Sequence, residues 1–147
     1  MNPDCVYCSL SDIKERTIVK NDLAWAFPTN IPITPGHTLV CPVRHAEKFE
    51  DLTKKEKEAI FDLATKIKIA LKELFGAEGF HEVWNEGKIA GQSVPHFHLH
   101  IVPRKQGDEG ITEYEPRKFL YRPGSRETTP EAELRVVAEE IKRAIEK

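Results

Sequence analysis

Seven residues constrain this chain more than any others: His96-Phe97-His98-Leu99-His100-Ile101-Val102. Side chains alternate across a strand, so the three imidazoles share one face and Phe97, Leu99 and Ile101 share the other. The apolar face must meet a core. The imidazole face needs a use, because three of the chain's six histidines fall within five residues. Same-face positions lie about 6.5–7 Å apart, so one rigid element presents the rings in a row. Taken alone, the pattern leaves catalysis and metal binding both open.

The rest of the chain supplies partners for such a strand. Short strands are expected over residues 17–19 and 23–27, around the turn residues Asn21 and Asp22. Residues 28–36 form a proline-rich loop, and residues 38–43 a buried strand. Thr53 and Glu56 have the spacing of a capping box. Ile60, Leu63, Ala64, Ile67, Ala70, Leu71 and Leu74 then recur with helical period up to the stop signal Gly76. A fourth strand is expected over residues 80–84. Thr129-Pro130 opens a last helix with an apolar stripe of Leu134, Val137, Ala138, Ile141, Ala144 and Ile145. Strands and crossover helices do not alternate regularly. The expected class is therefore α+β: an antiparallel five-stranded sheet with a long central helix and a C-terminal helix.

The 147 residues fit one domain, with an N-terminal segment at 1–14, an irregular loop at 105–128 and the last helix at 129–147. Acids and bases nearly cancel, to a net charge of -2, which argues against a nucleic-acid binder. The first ten residues lack a basic stretch followed by an apolar run, and no apolar run approaches the roughly 20 residues of a membrane span. Three cysteines cannot all pair with one another. The expectation is a soluble cytoplasmic protein without membrane partners.

Upstream of the histidines lies Asn85-Glu86-Gly87-Lys88-Ile89-Ala90-Gly91-Gln92-Ser93-Val94-Pro95. Gly87 and Gly91 are expected to offer backbone N–H groups to an anion, and Asn85, Gln92 and Ser93 to add neutral donors. Arg104 adds a cation. Such donors beside imidazoles suit a phosphoryl transition state. Without the histidines, Asn85 and Ser93 read equally well as turn residues.

The seven-residue segment resembles the His-φ-His-φ-His-φ-φ signature of the histidine triad family. Asn85-x-Gly87-x-x-Ala90-Gly91-Gln92-Ser93-Val94, Pro103-Arg104 and Pro35-Gly36-His37-Thr38-Leu39-Val40-Cys41-Pro42 also look like family motifs. The tail from Pro103 to Asp108 looks more like the dinucleoside polyphosphate hydrolase branch than the phosphoramidase branch. The resemblance implies a nucleotide hydrolase or nucleotidyltransferase working at an α-phosphate, with His98 as nucleophile. A neutral ring whose Nδ1–H is donated to a carbonyl keeps its Nε2 lone pair for that attack. His100 would orient His98 or contact a phosphate oxygen. Gln92 and Ser93 would bind the α-phosphate or bridging oxygen, with Asn85 in support and His37 hydrogen-bonded to His100. Eight residues before His37 the family carries Asp or Asn for the ribose. Here Thr29 holds that place and Asn30 follows, so one of the two is expected at the sugar. Phe27 is a candidate wall for the base, or a core residue. Arg117, Lys118, Arg122 and Arg126 could meet polyphosphate or simply be solvated. The resemblance also implies a homodimer with joined sheets.

Cys5-x-x-Cys8 has the spacing of half a zinc site. The resemblance supplies the other half: His45, in Pro42-Val43-Arg44-His45, and His96. Four such ligands make a closed structural zinc site, and no organic cofactor is expected. The alternatives for the pair are reduced thiols without metal or a redox couple, while Cys41 reads as packing. For the whole chain the competing functions are a metalloprotein that uses His96, His98 and His100 jointly as ligands, and a nucleotide-binding module with little turnover.

Overall fold

The computed structural model describes residues 4–108 and 128–147. Arg117, Lys118, Arg122 and Arg126 lie outside the described residues, as does most of the expected loop. Two short helices, α1 (Val6–Ser9) and α2 (Ser11–Glu15), occupy the N-terminal segment. The strands follow as β1 (Val19–Lys20), β2 (Ala24–Pro28) and β3 (Thr38–Pro42). Helix α3 (Lys54–Phe75) separates them from β4 (Gly79–Val83) and β5 (Leu99–Arg104), and α4 (Glu131–Glu146) closes the chain.

The sheet has five strands in the order β1-β2-β3-β5-β4, and every neighbouring pair is antiparallel. The β1–β2 turn is shaped by Asn21, whose Oδ1 accepts from the N–H groups of Leu23 and Ala24 at 2.9 Å each. Helix α3 has the expected ends. Thr53 Oγ1 accepts from Glu56 N–H at 3.1 Å, and Glu56 returns a carboxylate to Thr53 N–H at 2.9 Å. Gly76 ends the helix at φ 68°, a left-handed cap that favours glycine.

Strand alternation sorts β2, β3 and β5 into two buried faces. Ala24, Ala26, Val40, Leu99 and Ile101 meet Ile60, Leu63, Ile67 and Leu71 of α3 and Ala138 and Ile141 of α4. On the opposite face Trp25, Phe27, Leu39 and Cys41 meet Ile13 and Tyr7 of the N-terminal segment. Phe27 lies in that second layer, fully buried against Trp25 and Tyr7. Cys41 is also fully buried, and its thiol is pushed well above the ordinary range by loss of water. Among the described residues no helix is long and apolar enough to cross a membrane.

The histidine segment departs slightly from expectation. The ladder starts at Leu99 rather than at residue 96 and runs on to Arg104. Before it, Phe97 N–H donates to the carbonyl of Ala46 at 2.6 Å, outside the sheet. The alternation survives, because Phe97 still joins Leu99 and Ile101 in the helix-side core.

Candidate active site and metal cluster

All three histidines of the segment are buried, and each has its tautomer set by a different partner. The Nε2–H of His96 donates to the carbonyl of Pro42 at 2.8 Å, which leaves Nδ1 with the lone pair. His98 is arranged the other way. Its Nδ1–H donates to the carbonyl of His96 at 2.8 Å, so Nε2 keeps the lone pair. Burial holds the His98 pKa below the ordinary imidazole value, which favours the neutral ring.

His100 is set by a relay. Ile33 N–H donates to His37 Nδ1 at 3.0 Å, which makes Nε2 the protonated nitrogen of a neutral His37. That Nε2 lies 3.0 Å from His100 Nδ1. His100 therefore accepts at Nδ1 and carries its own proton at Nε2. The rings of His98 and His100 lie 5.0 Å apart between centroids. One offers a lone pair and the other a proton, side by side.

Both line an open cavity of about 280 Å³. Ser93, Thr29 and Asn30 also line it, but Gln92, Asn85, His37 and Phe27 do not. Gln92 is a brace: its Oε1 accepts from Gly87 N–H at 2.7 Å and its Nε2 donates to the carbonyl of Glu47 at 2.9 Å. The loop amides expected to receive an anion are therefore already used, Gly87 N–H by Gln92 and Gly91 N–H by the carbonyl of Lys88. Asn85 reaches the carbonyl of Gly91 at 3.5 Å. Arg104, which does not line that cavity, pairs with the Asp108 carboxylate at 2.9 and 3.0 Å and lies 3.3 Å from His81 Nε2.

Sequence reasoning missed part of the wall. Tyr7, between the two cysteines of the pair, lines the cavity and meets His98 edge-on at 5.2 Å between centroids. Arg16 and Glu131, from opposite ends of the chain, line it as well. The cysteine pair was visible in the sequence, but nothing there showed that its intervening residue would reach the histidines.

The second cluster lies behind that wall. The ligand atoms of Cys5, Cys8, His45 and His96 all fall within 4.8 Å of one another. Cys5 Sγ is 3.5 Å and Cys8 Sγ 3.6 Å from His96 Nδ1, and Cys8 Sγ is 3.5 Å from His45 Nδ1. A tetrahedral zinc ion with ordinary bond lengths sets sulfur and nitrogen ligands about 3.5 Å apart, so the four residues fit one. His96 is pushed down to about 4 by burial, which keeps Nδ1 unprotonated, and its Nε2–H···O=C bond is the outer-shell contact that orients a ligating imidazole. His98 and His100 are not part of this group, so the geometry does not favour a metal shared by all three histidines.

The sequence of residues 11–107 matches the HIT domain. An uncharacterized HIT-like protein of Mycoplasma genitalium is 42% identical over 109 residues, which cover 73% of this chain and 77% of that protein. The asymmetrical bis(5'-nucleosyl)-tetraphosphatase of Schizosaccharomyces pombe is 35% identical over 106 residues, covering 72% of this chain and 58% of the enzyme. Among solved structures, a zinc-bound histidine triad family protein of Mycobacterium smegmatis superposes with a TM-score of 0.74 at 26% identity, over 97% of this chain and 94% of that one. With the motif, the fold and the matched domain in agreement, the chain belongs to the HIT, or histidine triad, family.

Proposed function

We propose that this protein cleaves nucleotide conjugates, dinucleoside polyphosphates among them, at the α-phosphate through a covalent nucleotidyl-His98. The observation that carries the reading is the paired orientation of His98 and His100. His98 Nε2 holds a lone pair in a neutral, buried ring and faces a cavity. It attacks phosphorus, the phosphorus–oxygen bond to the leaving group breaks, and the leaving group departs with the bond's electrons. His100, kept a donor by His37, places an N–H where negative charge gathers on the phosphoryl oxygens. Ser93, which lines the same cavity, adds a hydroxyl. Water then attacks phosphorus, the phosphorus–nitrogen bond breaks with its electrons returning to Nε2, the water's proton passes to solvent, and a nucleoside monophosphate is released. Another acceptor in place of water makes the same chain a transferase. The tetraphosphatase name of one relative supports the choice of substrate class.

Gln92 and Asn85 act at one remove in this scheme, by holding the 85–95 loop over the cavity. Zinc is the metal we assign to Cys5, Cys8, His45 and His96, where it would cross-link the chain without taking part in bond making. These residues bring Tyr7 to His98. The homodimer is also part of the proposal, and light scattering at micromolar concentration tests it: a dimer mass is expected, and a monomer mass refutes it.

The decisive test is a rapid quench of the enzyme with a dinucleoside polyphosphate, followed by peptide mass spectrometry. A nucleotidyl mass on the peptide that holds His98 is expected. Turnover with no adduct at any time point refutes the covalent route.

A further inference from the structure

Among the described residues, one anionic side chain lines the cavity, and the substrate proposed for it is itself an anion. Glu131, the first residue of α4, lines the wall shared with Thr29 and Asn30. Its side chain keeps 32% of its exposure, whereas that of Arg16 beside it keeps only 4%. A lone carboxylate there would repel phosphate. Arg16 offsets it at short range, with Nη1 at 2.7 Å from Oε1 and 3.0 Å from Oε2. Arg16 is fixed in turn by Nε–H donation to the carbonyl of Pro28 at 2.9 Å. The start of α4 is tied to the same wall where Thr129 N–H donates to the carbonyl of Asn30 at 2.6 Å.

The manner of this pairing leaves acceptor capacity in place. A single guanidinium nitrogen bridges both carboxylate oxygens, so each oxygen spends only part of its lone-pair capacity. Two partly used acceptors on one carboxylate suit a ligand with two adjacent hydroxyl donors. Val6, Leu10, Ile13 and Ile31 make the neighbouring wall apolar, and among the described residues Glu131 and Arg16 are its acid and base. Resting on the nucleotide reading above, we infer that Glu131, held by Arg16, accepts the vicinal hydroxyls of the substrate's ribose and makes the enzyme selective for ribonucleotides. The alternative donor on a nucleoside is an exocyclic amine of the base. Ribose is favoured because it supplies two neighbouring donors to two neighbouring acceptors.

The test compares diadenosine tetraphosphate with its 2′-deoxyadenosine and inosine counterparts. The wild type should prefer the ribose substrate by roughly tenfold or more in kcat/KM, expressed in KM, as befits loss of a hydrogen bond to a charged group. Glu131→Gln should bring the ribose-to-deoxyribose ratio toward one, chiefly by raising KM on the ribose substrate. Glu131→Asp, which keeps the charge but shortens the reach, should fall between. Arg135→Ala is the structural control. It removes the 2.7 Å pair with Glu15 that also docks α4 on α2, and lies outside the cavity. It should leave the ratio unchanged. An unchanged ratio in Glu131→Gln overturns the inference and leaves the nucleotidyl-His98 reading standing. A shift in the adenosine-to-inosine preference instead of the sugar preference assigns Glu131 to the base and also overturns it. An equal shift in Arg135→Ala reduces the effect to helix docking. Absence of turnover on every nucleotide in the wild type defeats both readings together.

Discussion

The metal cluster and the cavity draw on neighbouring histidines of one segment, yet they are built in opposite senses. His96 gives Nε2–H to a backbone carbonyl and turns Nδ1 to the thiols, while His98 gives Nδ1–H to a carbonyl and keeps Nε2 for the cavity. The cluster is closed: its four residues would complete a tetrahedral ion and leave no open position. The cavity is open, and His98, which lines it, keeps its Nε2 lone pair on the side away from its carbonyl partner. The difference teaches that ring identity carries little information by itself. Which nitrogen is tied to a carbonyl decides which one faces the thiols and which one faces the cavity, two residues apart.

The sharpest way to break this division is to remove one ring from each side. His98→Ala should lower kcat by about 10³-fold or more, since the bond-forming atom is gone. Metal content by mass spectrometry should stay near one ion per chain, because His98 is outside the cluster. Loss of the ion in this variant would merge the two sites into one and sink the comparison.

The converse variant, Cys5→Ser, should release the ion and cost about 4 kcal/mol or more in chemical denaturation, the range seen when a native metal is lost. Binding should suffer as well, with KM raised, because Val6, Tyr7 and Leu10 of the cavity wall are carried by the same segment. A wild-type KM in the metal-free variant would show that the cluster and the cavity are independent.

Within the cavity, the relay behind His100 can be cut without touching the nucleophile. His37→Phe keeps a ring but loses the Nε2–H that faces His100 Nδ1. A fall in kcat of roughly 10–100-fold is expected, the usual size for a group that orients another, with metal content unchanged. Unaltered kcat would leave His100 without need of an orienting partner.

The parts of this arrangement that the sequence disclosed share a property: each repeats or lies close in the chain. The alternation at 96–102 named both faces of the strand, and Thr53, Glu56 and Gly76 marked the ends of α3, because strand and helix periods and caps are local effects. The five-stranded antiparallel sheet followed from counting such segments. Family motifs then pointed to the four residues of the cluster, although Cys5 and Cys8 precede the matched stretch at 11–107. Single residues with distant partners stayed hidden. Gln92 was read as a phosphate ligand, and its contact with Glu47, 45 positions away, gave no sign of itself in the sequence. Arg16 and Glu131 are 115 positions apart and belong to no motif. Phe27 was ambiguous because β2 is buried on both faces, so alternation did not distinguish a pocket from a core.

The smallest expected effect lies away from both sites and serves to calibrate the others. Glu56 is buried at the start of α3, where its carboxylate accepts from Thr53 N–H and, at 2.8 and 3.1 Å, from Arg44. The Arg44 hydrogen bonds hold its carboxyl below the usual carboxylate range, with burial working against them and the Thr53 N–H adding to them. A carboxylate depressed on folding contributes stability that is fully present above its unfolded pKa, about 4.3, and is lost as pH falls through the lower folded value. Glu56→Gln keeps an acceptor for the cap and removes the charge. Arg44 is half exposed, so solvent screens the pair and the cost at pH 7 should be only about 0.5–1 kcal/mol. Urea denaturation should show that difference unchanged from pH 7 to about pH 5 and shrinking below about pH 4. A difference that persists undiminished at pH 3 would assign it to the geometry of the cap rather than to charge. Turnover and metal content should not move in this variant, and a change in either would show that α3 transmits to the histidine segment.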